Sequence, residues 1–396
     1  MSDYYERSLE LHRENKGKIE IGGKVSVETR DDLSLAYTPG VAQPCKEIFS
    51  NPDLARVYTS KANTVAVVTD GSAVLGLGNI GPLAALPVME GKALLFKKYG
   101  AVDAWPICLD TQDTEEIIET VRRIAPCFGG INLEDIAAPK CFEIEERLQD
   151  LGIPVFHDDQ HGTAIVLLAA LLNSARVLER DPKTFRVVIS GAGAAGNAIA
   201  RFLVAKGFSE GTEPFVKEVI VCDSKGAISK DRQDLNLSKQ AYLNFTNPNN
   251  ENGDLATVLE GKDVFIGVSQ GGILQAQHVK SMAKDPLIFA MANPIPEIMP
   301  DEALAGGAAI IGTGRSDFPN QINNVLAFPG LFRGALDANA PRITPKMYLA
   351  AVHALIEATT DLSVDKILPH PLNPRVGFLV GDAVKRAALE EAELSS

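Results

Sequence analysis

Cysteine is sparse and scattered in this chain of 396 residues: Cys45, Cys108, Cys127, Cys141 and Cys222 include no Cys-x-x-Cys pair. An odd number at such spacing excludes a disulfide framework and a zinc knuckle. Long apolar runs are missing too. The longest, residues 164–172, falls far short of the roughly 20 residues a membrane helix needs. Residues 1–7 lack the basic, apolar and small-residue order of a secretory signal. Positive charge is in deficit, with 38 Lys plus Arg against 51 Asp plus Glu and a formal net charge of −13. Such a chain does not cling to nucleic acid or anionic lipid. Together these absences predict a cytoplasmic protein whose partners are small molecules, with no nucleic acid and no membrane among them.

What is present suits a large folded core. Hydrophobic residues make up 45% and charged residues 22%, which at this length predicts about two or three domains. A polar surface helix is expected over 6–15, and Tyr37-Thr38-Pro39-Gly40 predicts a turn that leaves Tyr37 at a bend. The β-branched run 64–69, closed by Asp70-Gly71, reads as a buried strand. A helix over 88–99, a strand over 104–109, helices over 114–124 and 143–151, and a short strand over 155–159 are expected next. An apolar helix over 163–178 follows, with a domain boundary at Gly162.

Beyond that boundary, strands are predicted over 185–190, 218–222, 263–268, 287–291 and 308–312, with a helix over 195–206. Short apolar strands separated by helical stretches imply a parallel, doubly wound sheet. Two amphipathic helices, over 347–359 and 376–393, close the chain. The expected class is α/β. An N-terminal α/β substrate domain covers 1–162, a Rossmann-type doubly wound dinucleotide-binding domain covers 163–345, and C-terminal helices cover 346–396.

The strongest local signal is Gly191-Ala192-Gly193-Ala194-Ala195-Gly196, which follows an apolar strand and opens a helix. The first glycine permits the turn, the second lets backbone approach a pyrophosphate, and the third lets helix pack on strand. The helix N-terminus turns its N–H groups toward the phosphates. Asp223 ends the next strand, where a carboxylate accepts ribose hydroxyls and repels a 2′-phosphate. Lys225, two residues on, could pair with that phosphate, so NAD and NADP both stay open. Gly76-Leu77-Gly78-Asn79-Ile80-Gly81 looks similar, but no acid closes a second strand at the right distance, and it reads as a tight-turn segment.

Two acidic pairs, Glu134-Asp135 and Asp158-Asp159, suit a hard divalent cation such as Mg²⁺ or Mn²⁺, which seeks carboxylate oxygens. The second pair is expected at a strand end by the domain boundary, where α/β enzymes open their clefts. His157 and His161, at i and i+4, would bind zinc together only on a helix, and the place of Asp158-Asp159 between them at a strand end argues against it.

In order along the chain, Tyr37-Thr38-Pro39-Gly40-Val41-Ala42, Thr69-Asp70-Gly71, Gly76 to Gly81, Glu90-Gly91-Lys92, Asn132-Leu133-Glu134-Asp135, residues 158–164, Asn293-Pro294, Asn323-Asn324 and Phe328-Pro329-Gly330 resemble the motifs of the malic enzymes, in their short prokaryotic form. The resemblance implies oxidative decarboxylation of malate to pyruvate and carbon dioxide, with NAD or NADP and with Mg²⁺ or Mn²⁺. It implies Glu134, Asp135 and Asp159 as metal ligands, Tyr37 as acid and Lys92 as base and substrate contact. Asn293 and Asn324 would hold substrate carboxylates near the nicotinamide, and Asp158 would orient Lys92 or supplement it. A homodimer is implied as well. Larger relatives carry an arginine after Thr-Asp-Gly, whereas this chain has Ser72-Ala73-Val74. Arg315 and Lys61 are the candidates to replace it.

A lysine serves as base only if its pKa falls well below about 10.4, which burial and a neighbouring cation both promote. The runner-up reading is another two-domain NAD(P)-dependent dehydrogenase, of amino acids or a folate derivative, that needs no metal. A catalytically silent dinucleotide sensor is the reading from a different class.

Overall fold

Two sheets organise the fold, and a computed structural model describes residues 2–395 of it. In the first sheet lie β1 (Thr64–Thr69), β2 (Asp103–Cys108), β3 (Gly130–Leu133) and β4 (Val155–His157), in the order β2-β1-β3-β4 and all parallel. Strand side chains alternate between faces, and here both faces are covered. Val65 and Val67 join one apolar cluster, while Ala66 and Val68 join another.

The second sheet holds β5 (Arg186–Ser190), β6 (Glu218–Asp223), β7 (Gly226–Ala227), β8 (Val264–Gly267), β9 (Leu287–Ala290) and β10 (Ile310–Thr313), in the order β10-β9-β8-β5-β6-β7. Strand order reverses at β5, which opens a crevice past the carboxyl ends of β5 and β8. This is the doubly wound sheet the sequence predicts. Its antiparallel edge strand β7 was not foreseen, because two residues carry no periodicity.

Helices α1 (Ser2–Asn15), α2 (Arg30–Ala36), α3 (Ala42–Ser50) and α4 (Ala55–Tyr58) lie on the surface, and no residue from 4 to 64 is fully buried. Then come α5 (Gly81–Gly100), α6 (Thr114–Ile124), α7 (Lys140–Arg147), α8 (Asp158–Val177) and α9 (Ala194–Leu203). Four short helices follow: α10 (Leu237–Gln240), α11 (Leu255–Leu259), α12 (Ala276–Ser281) and α13 (Pro300–Ala305). The chain closes with α14 (Phe328–Asp337), α15 (Pro345–Ala358) and α16 (Pro374–Ser395). Among the described residues no helix is long and apolar enough to cross a membrane.

Several boundaries differ from expectation, α7 among them, which runs over Lys140–Arg147 where 143–151 is expected, and two have plain physical reasons. α5 starts seven residues before the predicted Val88, because Pro82 falls in the first turn, where its missing N–H costs nothing. The strand expected to run through Asp159 stops at His157, and Asp158 and Asp159 become the first turn of α8. Carboxylates suit that turn, which presents unpaired N–H groups and the positive end of the helix dipole. α8 also runs without a break across the expected boundary at 162.

The closing helices pack back on the first sheet's layer. Phe96 of α5 meets Phe328 and Phe332 of α14 edge-on, with ring centroids 4.7 and 5.3 Å apart. In α16, Gly377 lies against α5 so closely that a Cβ would stand 2.0 Å from the Tyr99 carbonyl oxygen. Gly377→Ala should therefore lower the unfolding free energy by about 1–3 kcal/mol through overpacking, read as a lower urea midpoint with an unchanged slope.

Candidate active site

A cleft of about 720 Å³ opens where carboxyl ends of both sheets converge; Lys92, Glu134, Asp135, Asp159, Asn293 and Asn324 line it. Glu134 and Asp135 follow β3, Asp159 follows β4, and Asn293 follows β9. Parallel strands make this possible, since their carboxyl ends all face one way.

Lys92 is the hub. It sits buried on α5, its Nζ 2.8 Å from Glu134 Oε1, in contact with the Asp158 carboxylate, and 4.1 Å from the centre of the Phe328 ring. Glu134 also accepts from Asn132 Nδ2 at 2.8 Å, and Asp158 accepts from Asn324 Nδ2. Burial by itself would drive the Lys92 proton off. The charges of Asp158 and Glu134 outweigh it and raise the pKa above the ordinary lysine value. The lowered pKa that a base requires is therefore not a property of this arrangement by itself.

Glu134, Asp135 and Asp159 offer oxygens that all lie within 4.8 Å of one another. Asp135 adopts a positive φ of 53°, and its N–H donates to Asp159 Oδ2 at 2.9 Å. Burial, and then mutual repulsion, raises these acids. Asp135 is pushed up to about 9 by burial, Asp159 and Glu134. Burial raises Glu134 to about 7 against the pull of Lys92, and raises Asp159 to about 6. Asp135 Oδ2 is buried without a hydrogen-bond partner. An all-oxygen donor set with a spare buried acceptor fits a hard divalent cation such as Mg²⁺ or Mn²⁺.

The zinc alternative needs a correction in its premise. His157 both ends β4 and caps α8, and Asp158, Asp159 and His161 lie within α8, so the two histidines flank a helix's first turn. They still do not converge on a metal. His161 Nε2 is 3.0 Å from Glu145 and its ring stacks on Tyr348, while burial lowers the His157 pKa to about 4. Glu145 also accepts the His157 N–H at 3.0 Å and Gln160 Nε2 at 3.0 Å. This buried acid holds the start of α8, and nothing in its local sequence marked it.

A second cavity, of about 730 Å³, is lined by Gly191, Ala192, Gly193 and Asp223. Ala194, Ala195 and Gly196 belong to α9 and do not line it. Gly191 has φ +124°, open space surrounds the missing side chain of Gly193, and a Cβ on Gly196 would stand 1.8 Å from the Gly191 carbonyl oxygen. Gly191 thus makes the turn, Gly196 the close packing of helix on strand, and Gly193 leaves its side open.

Asp223 differs from its expected lone charge. Burial opposes its ionisation, yet Arg232 (2.7 and 3.1 Å) and Lys239 (2.6 Å) donate to it and bring its pKa down to about 2. Two cations offset the repulsion expected toward a 2′-phosphate. Arg232 and Lys239 lie too far along the chain to be read as its partners from sequence. Lys225 pairs with Asp234 at 2.8 Å.

The Gly76 to Gly81 loop serves the first cleft and takes no part in the second. A Cβ on Gly76 would stand 2.3 Å from the Asn293 carbonyl oxygen. Lys61 spends its ammonium on the carbonyls of Ala125, Pro126 and Phe128, and Arg315 pairs with Asp317 and the Pro294 carbonyl. Neither lines the cleft; Lys18 does, a cation sequence reasoning passed over. Tyr37 is not brought there: it is 67% exposed, and no tyrosine lines the cleft.

Known proteins carry the same layout. Residues 16–149 match the malic enzyme N-terminal domain, and residues 160–376 match the malic enzyme NAD binding domain. The chain is 54% identical over 389 residues to the bifunctional malic/malolactic enzyme of Bacillus subtilis (strain 168), spanning 97% of this chain and 93% of that protein. It is 55% identical over 375 residues to the NAD-dependent malic enzyme of Geobacillus stearothermophilus, spanning 94% and 77%. The crystal structure of the NAD-dependent malic enzyme from Thermotoga maritima superposes with a TM-score of 0.89 at 49% identity, over 95% of this chain and 98% of that one. A cleft of clustered carboxylates beside a glycine-rich dinucleotide fold thus recurs with sequence identity along nearly the whole chain, which belongs to the malic enzyme family.

Proposed function

We propose that this chain oxidises malate and decarboxylates it to pyruvate and carbon dioxide, reducing NAD or NADP. The observation that carries this reading is the Lys92 ammonium beside the Glu134, Asp135 and Asp159 oxygens, in one cleft with Asn293 and Asn324. Relatives named for NAD and for NADP both match the chain, and the cations around Asp223 support use of either. We assign substrate and metal to residues 1–162, the dinucleotide to 163–345, and a buttress for α5 to the helices over 346–396. Free cysteines throughout support a reducing cytoplasm, and a homodimer is the assembly we assign.

A divalent cation held by Glu134, Asp135 and Asp159 would supply Lewis acidity toward the substrate oxygens and charge that offsets three crowded carboxylates. The dinucleotide supplies the hydride acceptor. Asn293 and Asn324 orient the substrate in the same cleft. Lys92 accepts the C2 hydroxyl proton. It can do so only once one of its two carboxylates is engaged elsewhere, and Glu134 is the one shared with the acidic cluster. Asp158, with Asn324 on it, then keeps the amine aimed into the cleft. A metal-free dehydrogenase would leave three crowded, mutually repelling acids with only the Lys92 ammonium, itself shared with Asp158, as counter-charge, so that alternative is not favoured.

Malate-dependent appearance of reduced nicotinamide, with NAD and with NADP, lost on chelation and restored by Mn²⁺, tests the reading; no malate-dependent reduction in any of these would overturn it. Lys92→Ala should lower turnover by about 10²–10⁴-fold, the usual contribution of a positioned base, while dinucleotide affinity measured by fluorescence stays unchanged. Protons compete with metal for acids whose pKa values are raised to about 6, 7 and 9. Mn²⁺ affinity should therefore rise with pH across that interval and binding should release protons, both measurable by titration calorimetry in buffers of different ionisation enthalpy.

A further inference from the structure

Glu297 is a fully buried acid that the chemistry above leaves without a use. Its carboxylate spans two strand exits. One oxygen, Oε1, accepts the Ser269 N–H at 2.9 Å just past β8, and the other, Oε2, accepts the Ala292 N–H at 3.0 Å just past β9. The Met291 N–H still reaches the Gly267 carbonyl at 3.0 Å, and the carboxylate continues the join between the two strands beyond that bond. Backbone bonds then tie the loops that follow, from the Gly272 N–H to the Pro296 carbonyl at 3.0 Å and from the Leu274 N–H to the Glu297 carbonyl at 2.9 Å.

The joined loops show a face to each cavity. Ser269, Gln270 and Ile273 line the dinucleotide cavity, whereas Met291 and Asn293 line the malate cleft. Strand β8 is shaped to admit the acid between them, since a Cβ on Gly267 would stand 2.2 Å from the Glu297 carboxyl carbon. Burial raises the Glu297 pKa, with backbone N–H groups alone working against it, and among the described residues no cation pairs with it. A neutral amide of the same shape would avoid that penalty. It has a single acceptor oxygen, however, so its NH₂ group would face the second N–H. Two separate acceptors are what this geometry requires, and the carboxylate is held against its desolvation to provide them.

We propose that Glu297 is a positioning residue for both ligands: by bridging the Ser269 and Ala292 N–H groups, it fixes the loop that meets the dinucleotide and the loop that presents Asn293 in one register. The inference rests on the malate reading above, in which Asn293 orients the substrate. Hydride passes only when dinucleotide and substrate keep a set separation. Asn293 cannot set it through its own side chain, which is exposed and whose Nδ2 lies 3.4 Å from the Met291 carbonyl. Its place is set through the backbone, one residue from the Ala292 N–H that Glu297 holds. On the other side Ser269, whose Oγ is 3.1 Å from Ser190 Oγ at the end of β5, carries the same register to the glycine-rich turn.

The test pairs Glu297→Gln with Gly267→Ala. The first removes one acceptor without changing shape, and the second keeps the charge but pushes the carboxylate off its two donors. In each variant the KM for malate, at saturating Mn²⁺ and dinucleotide, should rise about 10-fold, and so should the Kd for NADH read by its fluorescence without malate. That is the lower end of what one hydrogen bond to a charged group is worth. Gly377→Ala, at a position that lines neither cavity, serves as the control for lost stability alone and should move neither constant. If Glu297→Gln lowers the urea midpoint while both constants hold, the acid merely braces the sheet and the proposal fails. A rise confined to one ligand would show the two loops acting separately and would overturn the shared register as well. Should Glu297→Gln not fold, Gly267→Ala decides by the same two constants. An unaltered chain that binds NADH yet leaves malate unoxidised would instead overturn the malate reading, and the proposal with it.

Discussion

The Lys92 ammonium stands between the carboxylates of Glu134 and Asp158, and it ties α5 to the end of β3 and the start of α8. Burying three charges is costly unless they pair and their remaining hydrogen bonds are met. Here Asn132 serves Glu134, Asn324 serves Asp158, and the Phe328 ring lies beneath the amine. Removing Lys92 would leave two buried carboxylates without their counter-charge, whereas removing either carboxylate leaves the amine one partner. The cluster therefore locks the substrate side of the cleft into one arrangement, at some expense in stability.

That arrangement also holds the protonation state under control. Two carboxylates keep Lys92 charged, and crowding keeps the neighbouring acids reluctant to ionise. Anything that takes charge from Glu134 loosens the Lys92 proton. A cation on the acidic cluster is thus coupled to the basicity of the amine through one shared side chain. The second cavity is poised by the same kind of balance, with Arg232 and Lys239 spending their charge on Asp223.

Glu145 shows how far the support of such a site reaches. It touches no residue of the acidic cluster, yet it holds the backbone of His157 and the side chains of Gln160 and His161. The first turn of α8, which carries Asp158 and Asp159, is positioned through it. α8 itself links the two sheets and runs through the point where composition placed a boundary. The first sheet and the second are consequently joined by one continuous helix.

The parts legible in the linear chain were those whose chemistry is local. The strand and glycines from 187 to 196, the β-branched run 64–69 and the acidic pairs could be placed because turn geometry, side-chain alternation and ligand preference act over a few residues. The start of α8 was misplaced by five residues and the end of β4 by two, since an acidic pair reads equally as a strand end or a helix's first turn. Tertiary structure alone decided the charge partners: Lys92 with acids 42 and 66 residues away, Asp223 with Arg232 and Lys239, Lys61 with backbone carbonyls. It alone left Tyr37 exposed and away from the cleft. Coulombic and burial energies depend on distance in space, which no spacing along the chain encodes.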